Sequence, residues 1–442
     1  MNTVYLVVCL FASFGLVLGQ DTLCSYDKGN HYVIAFANIV DMDTTSGAKA
    51  TPSSIVLRFT ADSSTRVTVS IKGTNSSDQT KWGRNGEFTL PASTLIIDDG
   101  KHSNRAVIIH GDHDFSLLAV YQFPDFEIPT PVLPTAALET DYTVTLQAPS
   151  FVTSEHAVKI VIVALNDSSY VTLQDAGIHT SFSLKQNDVQ IISSTSNDFS
   201  GVRVHSRDKI AVFAVASAGF FQRSYQLSAN QNNYARSVFM QVVPFDNSAL
   251  RYILVPMLQL HSIVRIYARD DNTSVTLDGF GSPKTVHVYK EIFYETSFDS
   301  RYPFEITSTK PIIVTQTPIL DHGGGKLFTL TVPAVTQYSN EYGIYGATHA
   351  YVFIPSSESS GILVDAKPLT HVPDQLTIQT VNTDYVVMSV PLSHGHTKLS
   401  HIGQRSFGLL VYNDALKRTY IYSPRYNLHS IDCFPSIGSL IG

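Results

Sequence analysis

Charged residues are scarce in this chain. Only 15% of its residues are Asp, Glu, Lys or Arg, and the formal net charge is -7. No basic stripe is present that could neutralise phosphate groups, which argues against a nucleic-acid partner. Helix-favouring Lys, Glu and Met are also sparse, whereas Tyr, Phe, Thr, Val and Ser are plentiful. This composition is typical of a folded, soluble, extracellular β protein.

Long apolar runs are absent after the amino terminus. Residues 1–19 contain no charged side chain and end in small residues before Gln20, as a secretory signal peptide does. The positive charge in front of this run is weak, so an uncleaved anchor is the alternative. No later segment approaches the roughly 20 apolar residues of a membrane span, and residues 434–442 are too short and broken for a lipid-anchor signal. We therefore predict a secreted protein without a membrane span.

Cysteine is almost missing as well. The chain has three cysteines, and because Cys9 leaves with the signal peptide, only Cys24 and Cys433 remain in the mature protein. In an oxidising compartment these two thiols suggest one intramolecular bridge, which would restrain the unfolded chain by on the order of 5 kcal/mol in the chain-entropy model. The alternatives are two unpaired thiols or a bridge to a partner chain.

A short sequence motif recurs at regular intervals along the rest of the chain. Val-Thr pairs begin at Val67, Val171 and Val275, each after a polar stretch, so that both intervals are 104 residues. A fixed period without low complexity predicts one structural module used several times. Each copy places an apolar run, a short polar turn and a second β-branched run in sequence, which we interpret as a β-hairpin. Asp62, Asp167, Asp270 and Asp271 are interpreted as turn formers, since they lack the acidic spacing of a calcium loop.

Runs typical of strands recur every eight to twelve residues or so, and no amphipathic helix of useful length interrupts them. This pattern predicts an all-β protein built of tandem antiparallel β-sandwich modules, with a propeller-like arrangement as the alternative. Four prolines between Pro124 and Pro134 are interpreted as a linker. The predicted divisions are the signal peptide at 1–19 and four modules at 20–130, 131–230, 231–345 and 346–442, the last of them shorter.

Several clusters of polar residues could in principle carry chemistry. His110, Asp112, His113 and Asp114 lie within five residues, as zinc or copper ligands can, and His394, His396 and His401 form a looser group. Both lie between strand runs, so we interpret them as polar turns and predict no metal site. Residues 321–326 resemble a phosphate loop, but they lack its spacing and precede a strand.

Motifs of hydrolases are missing too: there is no nucleophile elbow, no zinc-protease helix and no paired-carboxylate context. We therefore predict that the chain is not an enzyme, has no catalytic residues and needs no cofactor. Three glycosylation sequons are present, and we expect modification in at least two of them because they lie in or beside polar turns. The acceptor residues are Asn75, Asn166 and Asn272.

Short segments spread over residues 26–422 occur in the order known from one family. They are Tyr32–Asn38, Phe88–Ser93, Leu133–Leu138 with Tyr142, Gly201–Ser206, Lys209–Phe213, Thr309–Val314, Leu330–Tyr338, Leu363–Leu369, Val390–His396 and Phe407–Tyr412. In this respect the chain resembles the amino-terminal domain of IgGFc-binding proteins. It departs from that family by having no cysteine between Ala214 and Met240, and by having Glu139 where a glycine is usual.

The resemblance implies a secreted, non-enzymatic module of mucus-associated and extracellular proteins, often placed ahead of von Willebrand type D domains. The resemblance identifies no antibody contact among the matching segments, so antibody binding is not carried over to this chain. The predicted function is an extracellular interaction or structural protein of mucus, matrix or adhesive secretion, with protein or glycan partners. The alternative is a lectin or a glycan-active enzyme with a dispersed site, for which Trp82 is the obvious stacking platform. The ligand and the oligomeric state are not determined by the sequence.

Overall fold

The computed structural model describes most of the chain after residue 27, and almost all of the described part is β structure. The strands are accompanied by one helical turn, α1 (Ala92–Leu95), and by four short 3-10 segments. The described residues are 28–42, 49–74, 77–124, 126–146, 158–175, 178–194, 199–217, 219–220, 234–235, 237–255, 261–279, 282–290, 292–299, 303–318, 329–369, 376–379, 385–392, 395–413 and 420–428.

The strands fall into four consecutive groups. Those of the first are β1 (Gly29–Ile34), β2 (Phe36–Ala37), β3 (Asp41–Met42), β4 (Lys49–Ala50), β5 (Ser54–Ile71), β6 (Gln79–Pro91), β7 (Ile96–Ile97), β8 (Gly100–His102), β9 (Val107–Gln122) and β10 (Glu127–Val132). Those of the second are β11 (Asp141–Thr143), β12 (Val158–Ala164), β13 (Ser169–Asp175), β14 (Ile178–Leu184), β15 (Val189–Ser194), β16 (Arg203–Ser206), β17 (Ile210–Ala216), β18 (Gly219–Phe220), β19 (Tyr234–Ala235) and β20 (Val238–Gln241).

The third and fourth groups contain fewer strands. Those of the third are β21 (Ala249–Leu254), β22 (His261–Ala268), β23 (Thr273–Asp278), β24 (Lys284–Val288), β25 (Tyr294–Asp299), β26 (Phe304–Pro318) and β27 (Leu330–Thr331). Those of the fourth are β28 (Glu341–Tyr345), β29 (His349–Pro355), β30 (Ile362–Val364), β31 (Lys367–Pro368), β32 (Leu376–Gln379), β33 (Tyr385–Pro391), β34 (His396–His401), β35 (Gly408–Asn413) and β36 (Tyr420–Tyr422).

All four groups share one antiparallel topology of two facing sheets. In the second module the first sheet has the order β11-β16-β13-β14, and the second sheet has the order β20-β17-β12-β15, extended at its edge by β8. The fourth module repeats this as β28-β34-β30-β31 and β36-β35-β29-β33. In the first and third modules long strands run through both sheets: β5, β6 and β9 in one, β26 in the other. The predicted tandem antiparallel sandwiches are confirmed.

The strand register confirms the internal repeat at single-residue level. Val67, Val171 and Val275 are fully buried, and they pair with Gly111, Ser206 and Ser308 in the same place of each first sheet. The fourth module adds Ile362, which pairs with His401. Residues two positions further along keep the same pairing order in all four modules.

The polar turn of the repeat does not close a hairpin, so this interpretation was wrong. β12 pairs with β15 and β17, whereas β13 pairs with β14 and β16, which places the two runs in opposite sheets. The turn crosses between the sheets, and its carboxylates fasten it: Asp167 accepts a hydrogen bond from the Gln186 N–H at 3.1 Å, and Asp271 accepts one from the Lys290 N–H at 3.2 Å. Alternating buried residues look the same in both arrangements, because each run faces the same core.

The proline-rich stretch is a strand and not a linker. Pro129 and Pro131 lie in β10, which pairs with residues 117–122 of β9 as the last strand of the first module. Prolines are tolerated there because only one edge of β10 needs to donate to the ladder. The predicted boundary at residue 130 therefore cuts through this strand.

Short 3-10 segments follow the last strand of each of the first three modules. They are Thr135–Ala137, Phe245–Asn247 and Val335–Gln337. We propose that the module boundaries lie at these turns, because the strand pairing on either side of each turn belongs to different sandwiches. This moves the division near residue 230 towards the carboxyl end and the division near residue 345 towards the amino end.

A buried tyrosine, which we call the tyrosine latch, closes each sandwich at the start of its first strand. The hydroxyl accepts a hydrogen bond from the N–H three residues earlier, at 2.9 to 3.2 Å, and donates one to a carbonyl of the opposite sheet. The four donor–tyrosine–acceptor sets are Gly29, Tyr32 and Phe115; Glu139, Tyr142 and Ile210; Ala249, Tyr252 and Ile312; and Ser339, Tyr342 and Phe407.

The modules contact one another in cyclic order, so that they form a closed ring. Each second sheet turns its outer side to the preceding module. Val161 of β12 and Phe213 of β17 join the core of the first module, and Phe353 of β29 and Leu410 of β35 join the core of the third. Fully burying such a side chain contributes about 1.5–3 kcal/mol.

The other two interfaces are built around arginines. Arg58 of β5 faces the fourth module, where its guanidinium lies 5.0 Å from the Tyr345 ring. Arg265 of β22 faces the second module, where it donates to the Ser200 hydroxyl at 2.9 Å and to the Leu146 carbonyl at 3.4 Å. The first and second modules therefore share a hydrophobic interface, and so do the third and fourth. Two interfaces built around arginines join these pairs into the ring.

Candidate interaction surface

The outer side of the first sheet is largely exposed in the first module. In the second and fourth modules, part of this side contacts a neighbouring module, at Arg203 in the second and at Tyr345 in the fourth. In the first module this surface is carried by β5, β6 and β9. Val67 and Val69 of β5 point into the core, and the alternation of side chains along a strand turns Arg66 and Thr68 outward. We call this side of each first sheet its outer face.

Two rows of side chains cross the outer face of the first module. In one row His31, His110, Thr68 and Thr80 are successive cross-strand partners, and the two threonine hydroxyls are 3.0 Å apart. In the other row Arg66 is the partner of Trp82, and its Nε lies 4.0 Å from a carboxylate oxygen of Asp112. The first row is polar, and the second ends in an aromatic side chain.

Trp82 is the most prominent side chain of this face. Its side chain is 65% exposed on the edge strand β6, and a polar surface of both charge signs lies next to it. Such a platform offers an aromatic plane for stacking together with hydrogen-bond donors and acceptors.

The paired histidines set the local electrostatics. The rings of His31 and His110 are 6.2 Å apart between centroids, and His31 Nδ1 lies 3.2 Å from the Thr135 hydroxyl. Burial lowers the pKa of His31, and the charge of a protonated His110 lowers it further. His31 is therefore held in its neutral form near physiological pH, and the pair does not carry two positive charges.

The corresponding faces of the other modules differ in chemistry. In the second module His205 lies 2.7 Å from Asp141, and Tyr170 is 49% exposed beside a shallow depression. In the third, Thr276 and Thr285 repeat the hydroxyl pair at 3.4 Å. Equivalent backbone positions thus present different side chains from module to module.

The two clusters considered as metal sites take other roles. His110, Asp112 and His113 lie in the middle of the continuous strand β9, where it passes from one sheet to the other, so the predicted turn is wrong there. His401 is buried and organises a loop: its Nδ1 accepts from the N–H groups of Gly403 and Arg405, and its Nε2 lies 2.9 Å from the Glu358 carbonyl. Within the described ranges, no three acidic, histidine or cysteine side chains converge as metal ligands do.

Several residues singled out in the sequence lie outside the described ranges. They are Cys24, Cys433, Asn75, His394 and residues 321–326. The two remaining sequon asparagines, Asn166 and Asn272, lie in the equivalent crossing turns after β12 and β22. Asn272 is exposed and adopts a positive φ of 53°, which asparagine tolerates.

Comparison with known proteins gives one decisive match. The family model described as IgGFc binding protein matches residues 129–413, which is more than half of the chain. The chain belongs to the IgGFc-binding protein family. The matched residues begin in β10 and cover the second, third and most of the fourth module of this family member. The first module lies outside the match, but it has the same topology and the same tyrosine latch.

Other comparisons add little. No curated protein matches the chain. One solved structure, described by the words "Ca2+-stabilized adhesin helps an Antarctic bacterium reach out and bind ice", aligns with 91% of this chain and 98% of its own at 10% identity. Its TM-score is 0.10, so the alignment supports no inference about this family member. Among the described residues, none of the helical segments has the length and apolar character that crossing a bilayer requires.

The sequence did contain a signal for the tyrosine latch that our prediction missed. Pro134 precedes Tyr142 by eight residues, and Pro244 precedes Tyr252 by the same interval. A 3-10 segment fills the space between proline and tyrosine in both copies. The recurrence of this spacing marks the start of a module.

Proposed function

We propose that this protein is a secreted extracellular interaction protein of mucus, matrix or adhesive secretion, which binds protein or glycan partners through the outer faces of its modules. Membership of a family named for binding supports this proposal. It acts without catalysis and without a cofactor, as a rigid scaffold.

The observation that carries the proposal is that equivalent core positions are alike in the four modules, whereas equivalent outer-face positions differ. Positions that face the cores keep the same character in all four modules, as the tyrosine latch and Val67, Val171, Val275 and Ile362 do. Positions on the outer faces change from His and Arg to Asp, Thr or Tyr. A protein that repeats its core and varies its surface is suited to recognition by faces and loops.

The proposal is tested by presenting the purified secreted protein to a glycan array and to immobilised mucus glycoproteins. Trp82→Ala and Tyr170→Ala alter the outer faces of the first two modules. Ile402→Ala is the control, because this residue is 74% exposed but lies in the turn after β34 and not on a strand of an outer face. We expect saturable binding that at least one outer-face variant weakens tenfold or more and the control leaves intact.

Saturable binding that neither outer-face variant changes would argue against recognition through these faces. Release of sugar or peptide products from the immobilised material by the natural protein would support the enzymatic alternative and overturn the proposal. Trp82 favours glycans as the class to test first, since a single exposed tryptophan beside hydroxyl and charged side chains suits stacking on a sugar ring.

A further inference from the structure

A small cavity lies where the last strands of all four modules meet at the axis of the ring. Its volume is about 40 Å³. Each module contributes lining residues, among them Thr130 of β10, Gln241 of β20, Thr331 of β27 and Ser423 after β36. We call it the axial cavity.

Two buried polar atoms in its lining have no hydrogen-bond partner among the described residues. They are Nε2 of Gln241 and Oγ1 of Thr331, in side chains of residues only 6% and 5% exposed. The amide of Gln241 is oriented by its other atom, because Oε1 accepts a hydrogen bond from the Leu133 N–H at 2.6 Å. The NH₂ group is thereby left to donate, and a buried donor without an acceptor costs about 1–3 kcal/mol.

The strands around the cavity add further polar groups. β10, β20 and β36 each form the edge of a second sheet, and β27 pairs on one side with β26. The free edge of a strand presents unpaired N–H and C=O groups. Thr130 uses its hydroxyl to bond the Phe239 carbonyl, so one of these groups is satisfied by a side chain across the axis. Tyr426 likewise donates to the Thr331 carbonyl at 3.0 Å, which leaves Gln241 Nε2 and Thr331 Oγ1 as the polar side-chain atoms of the lining that need a small partner.

The chemistry of the lining restricts the class of that partner. None of the residues lining the axial cavity carries a formal charge, so neither a cation nor an anion would be compensated there. The amide of Gln241 requires an acceptor, and the Thr331 hydroxyl can donate or accept. A neutral molecule of one or a few heavy atoms fits both the volume and the polarity.

We propose that the axial cavity is a binding site for ordered water, which accepts from Gln241 Nε2, bonds Thr331 Oγ1 and so links the second and third modules. A water needs roughly 10–15 Å³ of such space and two to four polar partners, so the cavity has room for more than one. Water at this place completes the hydrogen bonding of edges that belong to different modules.

The test asks whether the thermal midpoint falls or rises when the Thr331 hydroxyl is removed. Thr331→Val removes the hydroxyl without changing the side-chain shape. If the hydroxyl is bonded to water, we expect the thermal midpoint of the secreted protein to fall by about 2 °C. Thr397→Val is the matched control, because Thr397 is 1% exposed and its Oγ1 also lacks a partner, but it lies away from the cavity. In that position we expect no fall.

A rise or no change in the midpoint of Thr331→Val would overturn the proposal, since removing an unbonded buried hydroxyl does not destabilise. If the variant does not fold, a high-resolution crystal structure of the natural chain decides. Water density within hydrogen-bond distance of both Gln241 Nε2 and Thr331 Oγ1 would support the proposal. A dry cavity, or a side chain that fills it, would contradict it.

Discussion

At the scale of single residues, the tyrosine latch is the most regular feature of this protein. Each hydroxyl accepts from one backbone N–H and donates to a carbonyl of the opposite sheet, so a single side chain holds the two sheets of a module in register. Burial raises the pKa of Tyr142 and Tyr252, which keeps both hydroxyls protonated and able to donate. Tyr142 and Tyr252 therefore keep their hydrogen-bond donors at physiological pH.

Removal of one latch should destabilise its module. We expect Tyr142→Phe to lower the free energy of unfolding by about 1–3 kcal/mol, because the Glu139 N–H and the Ile210 carbonyl lose their partner. Urea unfolding followed by intrinsic fluorescence measures the change. Tyr170→Phe is the control, since Tyr170 is half exposed and its change should be within 0.5 kcal/mol or so. Equal losses of unfolding free energy in the two variants would show that the latch does not stabilise the module.

Glycosylation is also a matter of single residues, and it stays a prediction. The exposed crossing turn makes Asn272 accessible to the transferase, and Asn166 occupies the equivalent turn. We expect enzymatic deglycosylation to increase the gel mobility of the secreted protein, and Asn272→Gln to produce part of that shift. Unchanged mobility after deglycosylation would contradict the prediction. Ser181→Ala, at a position that is also exposed but outside any sequon, should leave the mobility unaltered.

At the scale of strands, the sequence predicted which segments form strands and which residues are buried better than it predicted which strands pair. The apolar run of β12 is buried on both faces, because its second face packs on the neighbouring module. The turn after β12 was misread because a hairpin and a crossing between sheets use the same polar residues. Only long-range pairing distinguishes them, and a single sequence does not contain that information.

Arg58 and Arg265 show how strand position decides an interface. They occupy equivalent places, and each is the cross-strand partner of a glutamate, Glu87 and Glu295. The same place holds Val161 in the second module and Tyr351 in the fourth. Nothing in the sequence distinguished Arg58 and Arg265 from arginines on the surface, because their burial depends on the neighbouring module.

The fork between Arg58 and Glu127 is the strongest contact of this type. Both guanidinium nitrogens lie 3.1 Å from the two carboxylate oxygens, and both side chains are largely buried. We expect Arg58→Met to lower the free energy of unfolding by about 3–5 kcal/mol, since it leaves the carboxylate of Glu127 buried and unpaired. Chemical unfolding measures the loss, and Arg58→Met combined with Glu127→Gln should recover most of it.

The matched control for this variant is Arg66→Met. Arg66 is 62% exposed in its side chain and lies 4.0 Å from Asp112, so its removal should change stability by less than about 1 kcal/mol. A similar loss in both arginine variants would indicate that the buried fork contributes no more than a surface ion pair.

At the scale of the whole molecule, an ion pair connects the first and the fourth module and so closes the ring. Lys28, ahead of β1, lies 2.7 Å from Glu341 of β28, and Lys398 of β34 lies 2.8 Å from the same carboxylate. Burial alone would raise the pKa of Glu341, but hydrogen bonds from the two lysines outweigh it and lower the pKa to about 2. The contact joins the first and last modules.

This lowered pKa predicts an acid-sensitive ring. The contribution of Glu341 is fully present above its unfolded pKa of about 4.3 and is lost as the pH falls towards 2. We expect the thermal midpoint of the natural protein to fall more steeply than that of Glu341→Gln between pH 5 and about 2. Asp112→Asn serves as control, because this exposed carboxylate joins no modules. Parallel curves for the natural protein and Glu341→Gln would exclude the mechanism.

The predicted bridge between Cys24 and Cys433 also belongs to this scale. The described residues nearest to them in sequence lie on the ring: Lys28 contacts the fourth module, and Leu428 packs into the core shared by the first two. We expect non-reducing peptide mapping to recover the two cysteines in one linked peptide pair. Two free thiols, or a link to another chain, would contradict the bridge. The same mapping after reduction serves as the control.

The closed ring has a consequence for how the protein is made. A chain that leaves the ribosome amino end first exposes Arg58 and Leu118 of the first module until residues 341–422 arrive to cover them. The third module likewise waits for Phe353 and Leu410 to complete its core. A product that stopped before β28 would therefore keep two uncovered sheet faces. We expect such a fragment to aggregate, because it exposes apolar surface, even though the sandwiches of its three modules could have formed.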